Sequence, residues 1–180
     1  MSTFIPNKNE KMKHLFIIST IFLSSIAYGQ SLNVKTDNAS VEFYFITKDV
    51  KGTMSGVIAN INIDYSDLAN SDLEGTVNVS TLDTKNKQRD GHLKNPDFFE
   101  IEKYPTMTFK ASSIEMIDKQ LMAKGELTIK DVSKEVVFNV SEEGESIVFK
   151  ADIYTSDFGV DVKKSREDNK VEVIISIPLK

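Results

Sequence analysis

The sequence predicts an all-β fold, an antiparallel barrel of about eight strands with a short helix in its one long connection. Three observations carry this. From Ser40 onward the apolar residues recur with period two rather than 3.6. Short polar connections separate the alternating runs, as hairpins require. Tyr65 to Ser71 and Lys85 to Tyr104 do not fit a meander, and the latter is the long connection, able to hold a short helix. An antiparallel sheet of this size closes most easily into a barrel, because closure removes unpaired edges. A two-sheet sandwich would alternate in the same way; the even strand count and the single long crossover favour the barrel.

The elements follow in chain order. Lys11, Lys13 and the apolar run Leu15 to Ile26, ending in Ala27-Tyr28-Gly29, read as an export signal cleaved before Gln30. A run of about a dozen residues falls short of the roughly 20 that a spanning helix needs, so no integral membrane segment is expected in the mature form. Met12 is an alternative start. Residues 1–29 are therefore assigned to the signal and residues 30–180 to one mature domain.

Eight half-buried strands are then expected. Their inward residues are Val41, Phe43 and Phe45; Val57, Ala59, Ile61 and Ile63; Gly75, Val77 and Val79; and Met107, Phe109 and Ala111. Leu121, Ala123, Leu127 and Ile129 continue the series, with Val136, Phe138 and Val140, then Ile147, Phe149, Ala151 and Ile153, and finally Val171, Val173, Ile175 and Ile177. Asp118-Lys119-Gln120, Lys130-Asp131-Val132-Ser133 and Glu142-Glu143-Gly144-Glu145 supply hairpin turns. Tyr65 to Ser71 suits one helical turn. A short helix fits Lys87 to Asn95, weakened by Gly91 and stopped by Pro96.

Composition excludes several classes of function. The chain has no cysteine, which removes disulfides and a lipoprotein anchor. Its net charge is −5, and loss of the lysine-bearing signal makes it more acidic, which argues against nucleic acid as a partner. His92 is the one histidine outside the signal, so a multi-histidine metal site is ruled out and no metal or cofactor is expected. No nucleophile elbow, phosphate-cradling glycine loop or dinucleotide fingerprint is present.

The chemistry concentrates in Arg89-Asp90-Gly91-His92-Leu93, Asn95-Pro96-Asp97-Phe98-Phe99 and Tyr104-Pro105. Lys85, Lys87, Arg89 and Lys94 could receive an anionic head group, Arg89 through a bidentate fork. The plainer reading pairs them with Asp83, Asp90 and Glu100 on a solvated loop. Asp90 and His92 could form an acid–base pair, but i and i+2 diverge on a helix, which favours bracing hydrogen bonds. Phe98 and Phe99 close the core or gate an opening. Small inward residues such as Ala59, Gly75 and Ala123 leave room for a slender chain, or accommodate large neighbours in a solid core.

Several ordered motifs resemble the YceI-like family. They are Val41-Glu42-Phe43, Val50-Lys51-Gly52-Thr53-Met54-Ser55-Gly56, Arg89 to Phe99, Tyr104-Pro105-Thr106-Met107-Thr108-Phe109, Gly125 to Lys134, and Ser156-Asp157-Phe158-Gly159-Val160. The resemblance runs from about Leu32 to Leu179. It implies an exported, lipocalin-like, polyisoprenoid-binding barrel in the bacterial periplasm, a soluble protein that is not an enzyme. Its partner would be an isoprenoid or other long-chain amphiphile, held in an apolar pore.

The pore residues expected on this basis are Phe43, Phe45, Val77, Phe98, Phe99, Met107, Phe109, Leu127, Phe138, Phe149 and Phe158. Arg89, Asp90, His92 and Thr47 are expected at the head group; Thr47 stands where the family often carries a histidine. Two alternatives remain at this stage: an envelope protein with a filled core, and a lipid-modifying enzyme using His92 and Asp90. Pairing of two chains into a homodimer is left open.

Overall fold

The computed structural model describes residues 36–179; the export signal expected over residues 1–29 lies outside the described residues. The alternation is realised as nine strands: β1 (Ser40–Phe45), β2 (Val50–Met54), β3 (Ile58–Asn62), β4 (Asp72–Asn78), β5 (Thr106–Ile117), β6 (Gln120–Ile129), β7 (Val132–Glu143), β8 (Ser146–Tyr154) and β9 (Lys170–Pro178). One helix, α1 (Lys87–Lys94), sits between β4 and β5, where the long connection was expected. Asn86 caps it by accepting from the Arg89 amide, and Asn95 ends it ahead of Pro96. The expected turn in Tyr65 to Ser71 is a 3-10 turn at Leu68–Asn70, capped by Asp67.

All pairings are antiparallel, in the order β2-β1-β9-β8-β7-β6-β5-β4-β3. Tight turns make consecutive strands neighbours: Asp118 and Lys119 (φ 50° and 66°) join β5 to β6, and Lys130 (φ 57°) lies in the β6–β7 turn. The sheet curls into a barrel-like trough, but its ladder does not close between β2 and β3. Gly56 (φ 70°) turns the chain away after β2, and the Ser55 amide and carbonyl bond to the Thr81 hydroxyl at 2.9 and 3.0 Å. The edge of β2 is instead covered by Asp83, whose amide and carbonyl pair with Thr53 at 3.0 and 2.9 Å.

A second discontinuity lies between β7 and β8. Their register runs only from Asn139↔Lys150 to Glu143↔Ser146, so Val132 to Phe138 pair with β6 alone and Ala151 to Tyr154 with β9 alone. Phe158, only 2% exposed, is buried beside this seam from the 3-10 turn Thr155–Phe158.

The two ends of the trough differ. At the end holding the β3–β4, β5–β6 and β7–β8 connections, Ile63, Ala123 and Ile147 are fully buried among Ile114, Leu121 and Val140. The β3–β4 loop reaches to β7, where the Tyr65 hydroxyl donates to Glu142 at 2.9 Å. Burial, then the Glu142 carboxylate, push the Tyr65 phenol up to about 12. The raised value favours the neutral phenol in the folded state. This contribution is present below the ordinary tyrosine value of about 10 and is lost as pH rises through about 12. Denaturant unfolding between these values should show a loss of stability that Tyr65→Phe lacks; parallel pH profiles would contradict it.

At the other end lie the β1–β2 turn, the β4–β5 connection with α1, the β6–β7 turn and the β8–β9 connection. The last is organised by Asn169, which is fully buried. Its Oδ1 accepts from the Val162 and Lys163 amides at 2.9 Å, and its Nδ2 donates to the Lys163 and Ser165 carbonyls at 2.8 and 2.7 Å. Asn169→Ala leaves these groups unpaired, and we expect a loss of about 2–4 kcal/mol in denaturant unfolding. A loss below about 0.5 kcal/mol would mean water replaces the amide without penalty.

Candidate ligand cavity and its mouth

Between the filled end and the α1 end runs a cavity of about 620 Å³. Its floor is a run of edge-to-face rings: Phe109 meets Phe138 at 4.9 Å between centroids, and Phe138 meets Phe149 at 6.5 Å. Residues beyond them toward the filled end, such as Ala123 and Ile147, are core but do not line the space. Ala59 and Gly75 face each other on β3 and β4 and add little bulk to the wall. The core is therefore not solid at this end.

The wall brings together most of the expected pore residues: Phe43, Phe45, Val77, Phe98, Phe99, Met107, Phe109, Leu127, Phe138 and Phe149 all line the cavity. Phe158 does not. It packs at the β7–β8 seam, because a 3-10 turn breaks the period-two pattern that would have aimed it inward.

At the mouth, Arg89, His92 and Leu93 occupy i, i+3 and i+4 of α1 and present one face to the cavity, with Gln88 beside them. Asp90 is not on that face. Its Oδ1 accepts from the Thr84 amide at 2.9 Å and the Thr84 hydroxyl at 2.5 Å. The Arg89 guanidinium holds the same residue, donating from Nε to Thr84 Oγ1 at 2.8 Å and from a terminal nitrogen to Thr84 O at 3.0 Å. Thr84, 4% exposed, follows the Asp83 that pairs with β2, so Arg89 and Asp90 pin the helix to the sheet edge. For Asp90 this placement corrects the expected head-group contact. Arg89 both braces the helix and lines the cavity.

Thr47 also lies outside the lining. It is exposed on the 3-10 turn Ile46–Lys48 after β1, and its neighbour Lys48 faces the cavity instead. His92 does not approach Asp90 as an acid–base pair would; its ring meets Phe98 edge-on at 5.6 Å. Lys85 forms an ion pair with Asp83 at 2.7 Å. That pairing raises the Lys85 pKa and lowers that of Asp83, in both cases chiefly through their hydrogen bond. The ion pairs among the described residues involve none of Lys48, Lys87, Arg89 and Lys94. One carboxylate, Glu74, also borders the cavity.

Sequence reading missed Lys48, Leu82 and Leu93 as lining residues. Leu93 was legible from its spacing to Arg89, whereas Leu82 faces inward only because Asp83 pairs with β2. Tyr104 anchors the return of the long connection, its hydroxyl donating to Asp131 of the β6–β7 turn at 2.9 Å. Among the described residues no group of three or more His, Cys, Asp or Glu could hold a metal ion, and no helix is long and apolar enough to cross a membrane.

Comparison with known proteins supplies the lineage. A UPF0312 protein of Vibrio cholerae is 31% identical over 131 residues, covering 69% of this chain and 68% of the relative. One of Photorhabdus laumondii is 30% identical over 94 residues, where the match spans 52% of this chain and about half, 49%, of the relative. Among solved structures, Burkholderia cenocepacia BcnA superposes with a TM-score of 0.68 at 20% identity, over 81% of this chain and 98% of that one. A polyisoprenoid-binding domain from Saccharophagus degradans, implicated in plant cell wall breakdown, gives 0.55 at 11%, over 83% and 98%. The YceI-like domain model matches residues 32–179, so by sequence and by fold this chain belongs to the YceI-like family.

Proposed function

We propose that this protein binds a slender, isoprenoid-like amphiphile, tail in the trough and head at the α1 mouth. The observation that carries the reading is the apolar cavity of about 620 Å³, filled at one end and bordered at the other by Lys48, Arg89 and His92. That volume lies within the range of about 300–1,000 Å³ usual for small-molecule sites. Each buried methylene contributes about 0.8 kcal/mol. Ten or more can offset the roughly 4–15 kcal/mol lost on association. The polyisoprenoid-binding domain with the same fold supports the ligand class. The N-terminal residues that read as an export signal support a periplasmic carrier or sequestering role.

Organic extraction and mass spectrometry of protein purified without detergent test this directly. We expect about one long-chain lipid per chain. Protein that stays empty after incubation with isoprenoid quinones and polyprenyl phosphates would overturn the reading.

A further inference from the structure

The exposure of the inward side chains falls stepwise along the trough. Met107 and Phe109 are 9% exposed, Phe149 4% and Phe138 2%, while Ala123 and Ile147 behind them are at 0%. The first four line the cavity and the last two do not. Phe138 is the central ring of the floor, edge-on to Phe109 of β5 on one side and to Phe149 of β8 on the other, and these contacts fix its orientation. Its partner across the β6–β7 ladder is Ala123, a single methyl group, so between these two strands the bulk comes from the Phe138 ring. Ile61, Leu73 and Ile177, likewise buried, close the cavity from β3, β4 and β9.

We infer that Phe138 is the stop that sets how much tail the protein takes: a linear isoprenoid enters until its end meets the Phe138 ring, and units beyond that length stay in water at the mouth. This rests on the amphiphile reading above and deepens it, from a class of ligand to a chain length. Packed interiors hold few voids larger than a water molecule, so the fully buried Ala123 and Ile147 offer no room behind the ring. Only the apolar surface that is buried adds affinity, about fourfold per methylene. Affinity therefore climbs with each isoprene unit that fits and stops climbing at the first that does not. Contacts of the head group with Lys48 and Arg89 at the mouth scale every length alike and leave the position of that limit unchanged.

The test titrates lipid-stripped protein with all-trans prenols of increasing length, from farnesol through geranylgeraniol to solanesol, which share one alcohol head group. For the wild type, affinity should rise with length and then level off. Phe138→Ala should move the levelling point by about one isoprene unit and raise affinity for solanesol by about tenfold or more, while affinity for farnesol stays within about twofold. Ile147→Val, which removes a methyl group behind the ring without opening it, should leave the levelling point in place. An affinity that keeps rising through solanesol in the wild type, or a levelling point unmoved in folded Phe138→Ala, would overturn the stop while leaving the cavity reading intact. Wild-type protein that binds no prenol of any length would overturn both. Loss of a buried ring costs stability, so where Phe138→Ala does not fold, Phe138→Leu decides by the same shift.

Discussion

Gly125→Ala should cost about 3–5 kcal/mol of stability or leave no folded protein. Gly125 of β6 pairs with Ala111 of β5 and Val136 of β7, in the interior of the sheet. A β-carbon there would collide with the Lys110 carbonyl oxygen and lie 2.6 Å from the Ala111 Cα and 2.8 Å from the Lys110 carbonyl carbon. These are backbone atoms held by the ladder, so relief requires two strands to part. The cause lies one residue further along, where the β5–β6 register shifts between Ala111 and Ser113. Such a bulge bends the strand and drives the backbones together at the glycine. Denaturant unfolding gives the measurement, and a midpoint equal to wild type would show that the sheet relaxes at no cost.

Gly52→Ala should do the opposite, with a modest loss of stability and a large loss of ligand. Gly52 of β2 lies opposite Phe43 of β1, and an added β-carbon would run into the outer ring atoms of Phe43. The obstacle is the far end of a side chain, which can rotate away. Because Phe43 already lines the cavity, the open space receives the displaced ring. We expect a stability loss of about 1 kcal/mol. Retained lipid should fall about tenfold, corresponding to about 1.4 kcal/mol of affinity. Full lipid occupancy in a folded Gly52→Ala protein would show that the ring finds room elsewhere. Gly52→Ala combined with Phe43→Leu should recover binding.

Those glycines also show where sequence reading stops. The eight expected strands are present because each carries three or more inward residues at period two, which needs no knowledge of neighbours. β2 escaped notice because Val50, Gly52 and Met54 put only two apolar side chains inward, and the middle position is completed by Phe43 across the ladder. Closure was equally beyond alternation. The pattern reports which face is buried, and it is silent on whether β3 turns back to pair with β2. Within the long connection, the Asn86 cap came from the structure, whereas the helix over Lys87 to Asn95 and its stop at Pro96 were legible. The opposite fates of Asp90 and Arg89 were not, since both depend on Thr84, which looks like an ordinary loop residue.

The pairing of β1 with β9 has a temporal side. Val41 meets Ile175 and Phe45 meets Val171, contacts that join the beginning of the described chain to its end. The consecutive hairpins from β3 to β9 are local and can assemble as they are made, but β1 has no partner other than β2 until β9 exists. Phe43 and Phe45 therefore enter the wall last. A chain emerging from a ribosome keeps the β1 side of the trough unpaired until β9 has been made, so this wall and the completed sheet appear in a single event.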